Sequence, residues 1–340
     1  MAGAVGADIS SDGIGAVVWF GARQDEPHAG IVRRLEHLSM HVAAGQLAAD
    51  RSDPVGPFIS VVTVALNAAT TIEDTIASVW MQQADFAVEH ICVDGGSVDG
   101  TRAIIDRWAA RSSRIERIYE PDTGIFDAMN KGLRRARGEY VLFLNADDFL
   151  VAPNALATAM AGLLPGAAEC PDLIVGNVSM GKLGRTGIWR RRRVPRLLGR
   201  LRGWGLYPLH QGQFTKRSLL NAIGGFNPRL RFSSDVLQYY DLERSFRPSM
   251  RLIHSDVAFM RVGGTSNDGL RAMYRATREF YENLSSTYSP ARAAGMVIVK
   301  TLQSFLELRF GHCPHARWFA AAIESQPDAE HRSAPISRGA

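Results

Sequence analysis

The stretch that most constrains the fold is 139–148, which reads Glu-Tyr-Val-Leu-Phe-Leu-Asn-Ala-Asp-Asp. Its apolar run, Tyr140 to Leu144, has a length that suits one buried strand. The run ends at Asn145, Asp147 and Asp148, so it would carry polar side chains to the carboxyl edge of a sheet, where open α/β folds bind ligands. Carboxylates are hard oxygen ligands that suit Mg²⁺ or Mn²⁺ shared with phosphate groups. The alternative is that the two aspartates only cap the helix that follows.

Strand-like and helix-like patterns alternate along the chain from residue 58 onward. Apolar runs bounded by turn residues predict strands, and apolar residues at helical spacing predict the helices between them. Gly138, which follows the third of these helices, suits a helix C-terminal cap. The predicted strands lie at 58–64, 89–93, 117–119, 140–144, 172–176 and 252–257. The predicted helices lie at 72–80, 104–108, 126–137, 219–224, 236–246, 268–288 and 291–310, with a further one that starts at about Pro153. This alternation predicts an α/β fold in which helices flank a mostly parallel sheet.

Changes in these patterns divide the chain into four regions. Residues 1–55 are rich in Gly, Ala and Asp and have weak periodicity, which predicts a flexible N-terminal extension. We expect the α/β domain at 56–267, a helical C-terminal extension at 268–325 and a disordered tail at 326–340.

Cysteine usage and hydropathy predict a cytoplasmic protein. Cys92, Cys170 and Cys313 lie far apart and form no CxxC pair, which argues against a disulfide framework or a zinc site and favours a reducing compartment. No apolar run reaches the roughly 18–20 residues that a membrane span needs. The N-terminus also lacks the basic and apolar segments of a signal peptide.

Positive charge is concentrated in one part of the chain. No acidic residue occurs between Asp172 and Asp235, whereas 13 Lys and Arg residues do. Because the whole chain has a formal net charge of +5, the remainder has a net charge of −8. Such a block repels itself unless anions lie near it, and the candidates are a nucleotide diphosphate, a phospholipid surface or nucleic acid. Nucleic acid is disfavoured because aromatic side chains do not alternate with the cations, so we expect no nucleic-acid partner.

Polar side chains follow four strands or turns of the predicted sheet. The carboxyl ends of parallel strands meet at one edge, so these side chains should converge on a single crevice. Several carboxylates and amides beside one lysine would suit a base-and-ribose pocket with a metal-bound diphosphate. The four groups are Thr63 with Asn67, Asp94 to Thr101, Glu120 to Gly132, and Asn145 to Asp148.

Three motifs in this order resemble the family 2 glycosyltransferases with a GT-A fold. They are Asp-Gly-Gly-Ser-x-Asp-Gly-Thr, Asp-x-Gly-Ile-x-Asp-Ala-Met-Asn-Lys-Gly and Leu-Asn-Ala-Asp-Asp. The likeness is greatest to the branch that builds bacterial exopolysaccharides and mycobacterial glycolipids, and it spans roughly 58–267. It extends through His210-Gln-Gly-Gln-Phe, Gly224-Gly-Phe and Ser234-Asp235. The resemblance implies a Rossmann-like, mostly parallel sheet and a nucleotide-sugar donor.

The resemblance also implies roles for individual residues in donor binding. Thr63, Asn67 and Asp94 would hold the nucleoside, with the carboxylate accepting hydrogen bonds from the base, and Asp122 and Lys131 would line the donor pocket. Asp94 could instead only begin an Asx turn. The full set expected to bind substrate is Thr63, Asn67, Asp94, Asp122, Lys131, Asp148 and His210.

The metal and the general base follow from the same resemblance. Asp147 would bind Mg²⁺ or Mn²⁺, and Asn145 stands where the family has the first Asp of its Asp-x-Asp motif. Because an amide adds no charge, we expect weak metal affinity without the donor. Asp235 matches the general base, although the family's following Trp-Asp is Val-Leu here. The alternatives are that Asp235 is only a helix N-cap and that His210 is only structural.

The segment from Trp189 to Trp204 combines leucines with arginines, including Arg190, Arg191, Arg192 and Arg193. It predicts either a basic amphipathic element at an anionic membrane surface or a solvated loop that folds over the donor diphosphate. The expected function is an inverting glycosyltransferase that transfers a sugar to a hydroxyl of a glycolipid or lipid-linked glycan, at the inner face of the plasma membrane if the segment binds lipid. The alternatives are a non-catalytic binding protein with the same fold and a nucleotidyltransferase, which would need a Gly-rich basic loop after the first strand. A dinucleotide dehydrogenase is disfavoured because no GxGxxG opens the first helix.

Overall fold

The computed structural model describes residues 58–167, 169–181, 190–192, 206–261 and 269–310. The predicted extension at 1–55, the predicted tail at 326–340 and Arg193 lie outside the described residues. Nine strands of the described residues belong to one sheet: β1 (Ile59–Ala65), β2 (Val88–Asp94), β3 (Ile115–Tyr119), β4 (Tyr140–Phe143), β5 (Phe149–Leu150), β6 (Leu173–Gly181), β7 (Arg190–Arg192), β8 (Gln213–Lys216) and β9 (Met250–Arg261). The helices are α1 (Ile72–Trp80), α2 (Thr101–Ala109), α3 (Ile125–Arg135), α4 (Ala155–Ala159), α5 (Arg217–Ala222), α6 (Ser234–Ser245), α7 (Gly269–Thr287) and α8 (Pro290–Phe310), with a 3₁₀ turn at His210–Gly212.

The first half of the sheet is parallel. β3, β2, β1 and β4 are neighbours in this order, and all pairs among them run parallel. β1 and β2 are buried along their whole length, as expected for strands covered by helices on both faces. Asp94 pairs in register with Ala65, and Phe143 pairs with Val62. The carboxyl ends of β2, β1 and β4 therefore lie at one edge of the sheet.

The second half of the sheet mixes strand directions. β8 runs antiparallel to β4 and to β6, whereas β9 runs parallel to β6. β5 and β7 are short antiparallel strands that pair with β9 and β6. The α/β prediction is confirmed, and the predicted parallel character applies to the first four strands of the chain. The direction of the later strands could not be predicted, because a short buried strand has the same apolar pattern in either direction.

Gly138 has a different role from the predicted helix cap. α3 ends at Arg135, and the next residue, Ala136, is already extended at φ −60° and ψ 133°. Gly138 instead lies against β1, where a Cβ atom would come within 2.5 Å of the Ser60 backbone nitrogen. Its N–H donates to Ser60 Oγ at 2.7 Å. The glycine is therefore needed for close packing between the start of β4 and β1, and not for a left-handed helix end.

Two long helices follow the sheet and pack against α6. Phe280 and Leu284 of α7 and Met296 of α8 belong to the same apolar cluster as Tyr239 and Tyr240 of α6. The helices occupy nearly the ranges predicted for them. Within the described residues, none of the helices combines the length and the apolar character that crossing a bilayer requires.

Candidate active site

The carboxyl ends of three neighbouring strands bring two of the sequence motifs to one edge of the sheet. Asp94 ends β2 beside Ala65 of β1. On the other side of β1, the Ala146 N–H after β4 donates to the Val64 carbonyl at 3.2 Å. Asp94 and the Asn145-Ala-Asp-Asp segment are thus separated by a single strand. Neighbouring strands are about 4.8 Å apart, so the two motifs border the same crevice.

Asp94 organises the turn that follows β2. Its carboxylate is fully buried, accepts the N–H groups of Gly96 and Ser97 at 3.3 and 3.1 Å, and pairs with Arg102 Nε at 2.7 Å. This is the Asx turn that the sequence left open as an alternative role. The turn is held by a cation from α2, so the loop enters the crevice in a fixed conformation.

Asn67 connects the first loop of the crevice to the second. It adopts a left-handed backbone at φ 51°, which Asn tolerates better than most residues. The Asn67 N–H donates to Ser97 Oγ at 2.7 Å, and the Val98 N–H donates to Asn67 Oδ1 at 2.9 Å. Asp99 Oδ2 also accepts the Ala69 N–H at 3.0 Å. The polar residues of the second motif therefore brace the two loops against each other.

Thr63 lies in the sheet and not in the crevice. It is fully buried, and its hydroxyl lies 2.9 Å from His90 Nε2 on the neighbouring strand. With this hydroxyl engaged inside the sheet, the contact between Thr63 and a nucleoside stays a prediction. Successive side chains of a strand point to opposite faces, and since both faces of β1 are buried, the sequence pattern did not reveal which way Thr63 points.

The third motif places Asp122 directly beside the second. A Cβ atom on Gly95 would lie 1.8 Å from Asp122 Oδ2, so the glycine leaves the space that this carboxylate fills. Burial raises the pKa of Asp122, and the opposing effects of the Gly124 N–H and Lys131 are smaller. Asp122 and the turn after β2 are therefore brought together as the sequence predicted.

Lys131 supports this loop from within the protein. Its Nζ donates to the Pro121 carbonyl at 2.5 Å and lies 3.5 Å from Asp127 Oδ2. Only 12% of its side chain is exposed. Lys131 therefore fixes the backbone that carries Asp122, and it does so through contacts with neighbouring protein atoms.

The two aspartates after β4 have different surroundings. Asp148 is buried, and its carboxylate accepts Gln211 Nε2 at 3.0 Å and the Arg261 N–H at 3.2 Å. Burial, together with the neighbouring charge of Asp147, raises the pKa of Asp148 to about 7. Asp147 is half-buried, and burial also raises its pKa, partly offset by the charges of Arg261 and His210. Asp148 thus ties three elements together, whereas Asp147 remains partly exposed.

His210 links the end of β4 to the start of α6. Its Nε2 lies 3.4 Å from Asn145 Nδ2, and its Nδ1 lies 3.2 Å from Asp235 Oδ2. If the amide donates to Nε2, the ring carries its proton on Nδ1 and donates to the carboxylate. The motif residues from β4, the 3₁₀ turn and α6 therefore form one connected group.

Asp235 lies in the first turn of α6, and its carboxylate contacts His210. The N-cap position belongs to Ser233, so the predicted alternative of Asp235 as an N-cap is wrong. Burial by itself would raise the pKa of Asp235, but the His210 hydrogen bond and charge, the Val236 N–H and Lys300 together lower it. Asp235 Oδ1 is buried without a hydrogen-bond partner. The carboxylate is therefore ionised and keeps one oxygen for another donor.

Arg261 is a component of the site that the sequence did not single out. It ends β9, forms an ion pair with Asp74 and lies over the Phe149 ring at 5.4 Å. Its positive charge favours ionised Asp147. The only sequence signal was a cation at the end of a predicted strand, which is common at protein surfaces.

Comparison with known proteins identifies the family. Residues 60–237 match the family described as Glycosyl transferase family 2. The chain belongs to this family. A PGL/p-HBAD biosynthesis glycosyltransferase of Mycobacterium bovis (strain BCG / Pasteur 1173P2) is 33% identical over 224 residues, which cover 62% of this chain and 80% of that relative. The putative teichuronic acid biosynthesis glycosyltransferase TuaG of Bacillus subtilis (strain 168) is 44% identical over 93 residues, which cover 27% of this chain and 36% of that relative.

A solved structure agrees with the fold of this family 2 glycosyltransferase. The mannosyltransferase PcManGT from Pyrobaculum calidifontis, in complex with GDP-Man and Mn²⁺, has a TM-score of 0.53 at 20% identity. The match covers 88% of this chain and 85% of that one. The GT-A fold expected from the motifs is therefore confirmed, as is the likeness to mycobacterial glycolipid enzymes.

The end of β4 offers two oxygen groups to a divalent cation in this glycosyltransferase. Asn145 Oδ1 is buried and has no hydrogen-bond partner, and Asp147 has a carboxylate whose pKa burial raises. A cation would favour the ionised form of that carboxylate. The described residues contain no group of three or more His, Cys, Asp or Glu side chains able to hold a metal ion. One amide and one carboxylate therefore fit a metal whose other ligands come from elsewhere, such as a diphosphate.

Proposed function

We propose that this glycosyltransferase inverts configuration as it transfers a sugar from a nucleotide-diphosphate donor to an acceptor hydroxyl, with Asp235 as general base. The Asp235 carboxylate takes the hydroxyl proton while the hydroxyl oxygen bonds to the anomeric carbon. The bond from that carbon to the diphosphate oxygen breaks, and the nucleoside diphosphate leaves with the electron pair. The observation that carries this proposal is the contact between His210 and Asp235, since it leaves Oδ2 engaged and Oδ1 unpartnered. General base catalysis of this kind typically contributes ~10²–10⁴-fold.

The donor would lie across the loops after β1, β2 and β3. Asn67 and the turn around Asp94 would border the nucleoside, and Asp122 would approach the sugar or ribose. Asp94 would act mainly through its turn, because its carboxylate already bonds Gly96, Ser97 and Arg102. The similar fold of the mannosyltransferase PcManGT, whose structure contains GDP-Man, supports a nucleotide sugar as the donor class.

Asp147 and Asn145 would hold Mg²⁺ or Mn²⁺ together with the donor diphosphate. When bound, such an ion would act as a Lewis acid that stabilises charge on the departing diphosphate. The test is thermal unfolding with Mn²⁺ alone, with UDP-sugars and GDP-sugars alone, and with both. A ligand that binds the folded state raises the unfolding temperature, so we expect a clear rise only with donor and Mn²⁺ together. An equal rise in Asp147→Ala would contradict this assignment.

The acceptor would be a glycolipid or lipid-linked glycan at an anionic membrane surface on the cytoplasmic side. The relative named for PGL/p-HBAD biosynthesis supports this class. Arg190, Arg191 and Arg192 form β7 at the edge of β6, and together with Arg193 they would contact anionic lipid. Replacing all four with Ser should weaken sedimentation with phosphatidylglycerol vesicles. Unchanged sedimentation and turnover would remove these arginines from the proposal.

The general base is tested with a pair of variants on one helix. Asp235→Asn should bind donor as the native enzyme does and lose sugar transfer, because an amide cannot take the proton. Asp241→Asn is the matched control, since Asp241 lies on the same helix and its ion pair with Arg244 is half exposed. Donor affinity by calorimetry and transfer with a hydroxyl acceptor are the two measurements. Full transfer by Asp235→Asn would eliminate this residue as the base.

A further inference from the structure

The C-terminal helices α7 and α8 contact the part of the protein that carries Asp235. They lie outside residues 60–237, which match the family. The Phe280 ring of α7 lies 6.1 Å from the Tyr240 ring of α6. The same apolar cluster includes Val236, the residue after Asp235. The two helices therefore pack against the base of the proposed catalytic helix.

Glu279 of α7 binds the loop that leads into α6. Its Oε2 accepts the Arg231 N–H at 2.9 Å, and its Oε1 accepts the N–H groups of Phe232 and Ser233 at 2.9 and 3.0 Å. Oε1 also accepts the Ser233 hydroxyl at 2.8 Å. One carboxylate thus fixes three successive residues. Asp235 follows two residues later.

Glu279 also takes one of the N–H groups at the start of α6, that of the N-cap residue Ser233. A helix leaves its first N–H groups without partners inside the helix. Ser233 holds the N-cap position, and its side chain makes no capping hydrogen bond. Its hydroxyl donates to Glu279 Oε1. A carboxylate near a helix N-terminus is also favoured by the helix dipole. Glu279 therefore holds the three residues that lead directly into the first turn of α6.

Lys300 of α8 acts on the Asp235 carboxylate by charge. Its Nζ lies 4.2 Å from the centre of the Phe280 ring and 5.9 Å from that of Tyr207. A cation over an aromatic face is held in place by the ring electrons. The charge of Lys300 contributes to lowering the pKa of Asp235. Both C-terminal helices therefore influence Asp235. Helix α7 does so through the loop backbone that Glu279 binds, and α8 does so through the charge of Lys300.

We infer that the C-terminal helices are part of the catalytic centre and that Glu279 is a positioning residue that aims Asp235 at the acceptor hydroxyl. The inference rests on the proposed role of Asp235 as base. It assigns to α7 a function that the family domain alone would lack, since the loop at 231–233 has its carboxylate partner on α7. Loss of that partner would let the first turn of α6 shift relative to His210.

The test compares two glutamates on α7. In Glu279→Gln one oxygen is replaced by an N–H donor, which cannot accept the loop N–H groups. Glu282→Gln is the matched control, because Glu282 is exposed and pairs only with Arg278 one turn away. We expect kcat of Glu279→Gln to fall about tenfold with donor KM nearly unchanged, since a misplaced catalytic group affects the transition state more than donor binding. The control should keep both constants.

A second readout reports the position of Asp235 without turnover. The His210 ring resonances in histidine-labelled protein, measured at one pH without donor or metal, should shift in Asp235→Asn because the ring contacts that carboxylate. They should also shift in Glu279→Gln and stay unchanged in Glu282→Gln. Glu279→Asp keeps the charge and should recover part of the lost kcat. It also provides a folded variant if Glu279→Gln proves unstable.

The outcomes separate this inference from the proposed function. Asp235→Asn without transfer, combined with native kcat in Glu279→Gln, would overturn the inference and leave the base in place. An equal loss of kcat in Glu279→Gln and Glu282→Gln would overturn the inference as well. If Asp235→Asn retains transfer, the base assignment fails. The His210 resonances then decide whether Glu279 sets the position of Asp235, and an unshifted ring in Glu279→Gln would overturn that link.

Discussion

The Nδ1 atom of His210 lies 3.2 Å from Oδ2 of Asp235, and the same ring reaches Asn145 at the end of β4. These residues come from a 3₁₀ turn, a helix and a strand end. A histidine held on both nitrogens can orient a carboxylate and favour its ionised form. The arrangement therefore couples the proposed metal-binding end of β4 to the proposed base on α6.

Removing His210 should move the acid limb of the activity profile. In the native enzyme burial raises the pKa of Asp235, but the His210 hydrogen bond and charge, with smaller contributions from the Val236 N–H and Lys300, bring it below its usual value. In His210→Ala burial remains while the largest opposing contribution is lost, so the pKa of Asp235 should rise. The acid limb of kcat/KM, which reports groups of the free enzyme, should then shift to higher pH. Initial rates at acceptor concentrations well below KM, which are proportional to kcat/KM, would measure this across pH 4–8.

The control for this prediction is His254→Ala. The His254 side chain is exposed on β9, so its removal should leave the acid limb in place. An unmoved acid limb in His210→Ala would show that His210 does not set the ionisation of Asp235. A kcat unchanged within about twofold would likewise count against an orienting role, since group positioning typically affects the rate.

The positions of these strands along the chain and their shared edge could be predicted, because they depend on local patterns and on parallel pairing. Short segments rich in apolar and β-branched residues identified β1, β2 and β4, and parallel pairing then placed Asp94 and Asn145 at one edge. The face of the sheet to which the Thr63 side chain points could not be predicted, since β1 is buried on both faces. Its pairing with His90 depends on the register of two strands.

The bridge through His210 and the role of Glu279 needed the tertiary structure. His210 is 65 residues from Asn145 and 25 from Asp235, and no periodicity relates positions so far apart. In the sequence, Glu279 has the pattern of an ordinary acidic residue on the polar face of an amphipathic helix. Its role depends on the hydrogen bonds that it accepts from the loop at 231–233. No sequence pattern shows that these N–H groups need a partner from another helix.

Gly95→Ala should weaken donor binding with little loss of stability. The new methyl group would lie 1.8 Å from Asp122 Oδ2, so this carboxylate must swing away from the turn after β2. A side-chain end can move at low cost, but the proposed donor pocket then loses its shape. We expect nucleotide-sugar affinity to fall about tenfold or more, which corresponds to at least ~1.4 kcal/mol.

Gly100→Ala provides the matched control for the donor pocket. Its methyl group would meet only Ala69 Cβ at 3.6 Å, an ordinary contact. Titration calorimetry with UDP-sugars and GDP-sugars should give native affinity for this variant. Equal affinities for Gly95→Ala and Gly100→Ala would remove Asp122 from the donor pocket.

Gly138→Ala should destabilise the sheet. Its methyl group would lie 2.5 Å from the Ser60 nitrogen and 2.6 Å from Ser60 Oγ, and backbone of a central strand cannot move easily. Overpacking of this kind costs about 1–3 kcal/mol or more of unfolding free energy. Gly295→Ala, on α8 with no atom near the new methyl group, should instead stabilise by about 0.5–1 kcal/mol. Urea unfolding of both variants measures the difference, and equal midpoints would contradict the packing argument.

His90 should make the folded protein sensitive to acid. Its ring is fully buried beside Thr63 and Cys92, and burial lowers its pKa from 6.5 to about 3. Below pH 6.5 the unfolded chain therefore binds a proton at this residue that the folded protein does not. The contribution of His90 to the unfolding free energy is complete above pH 6.5 and is lost as the pH falls toward 3, with a slope of about 1.4 kcal/mol per pH unit from this single proton.

His90→Gln tests that slope, because glutamine does not titrate. The variant should be less stable than the native protein at neutral pH, since the ring is removed from the core, but its unfolding free energy should fall less steeply between pH 6.5 and 4. His254→Gln changes an exposed side chain and should keep the native slope. Urea unfolding at pH 4, 5, 6 and 7, without metal or nucleotide, gives the three slopes. Parallel slopes for His90→Gln and the native protein would mean that His90 accepts its proton in the folded state, and that the sheet opens around it without unfolding.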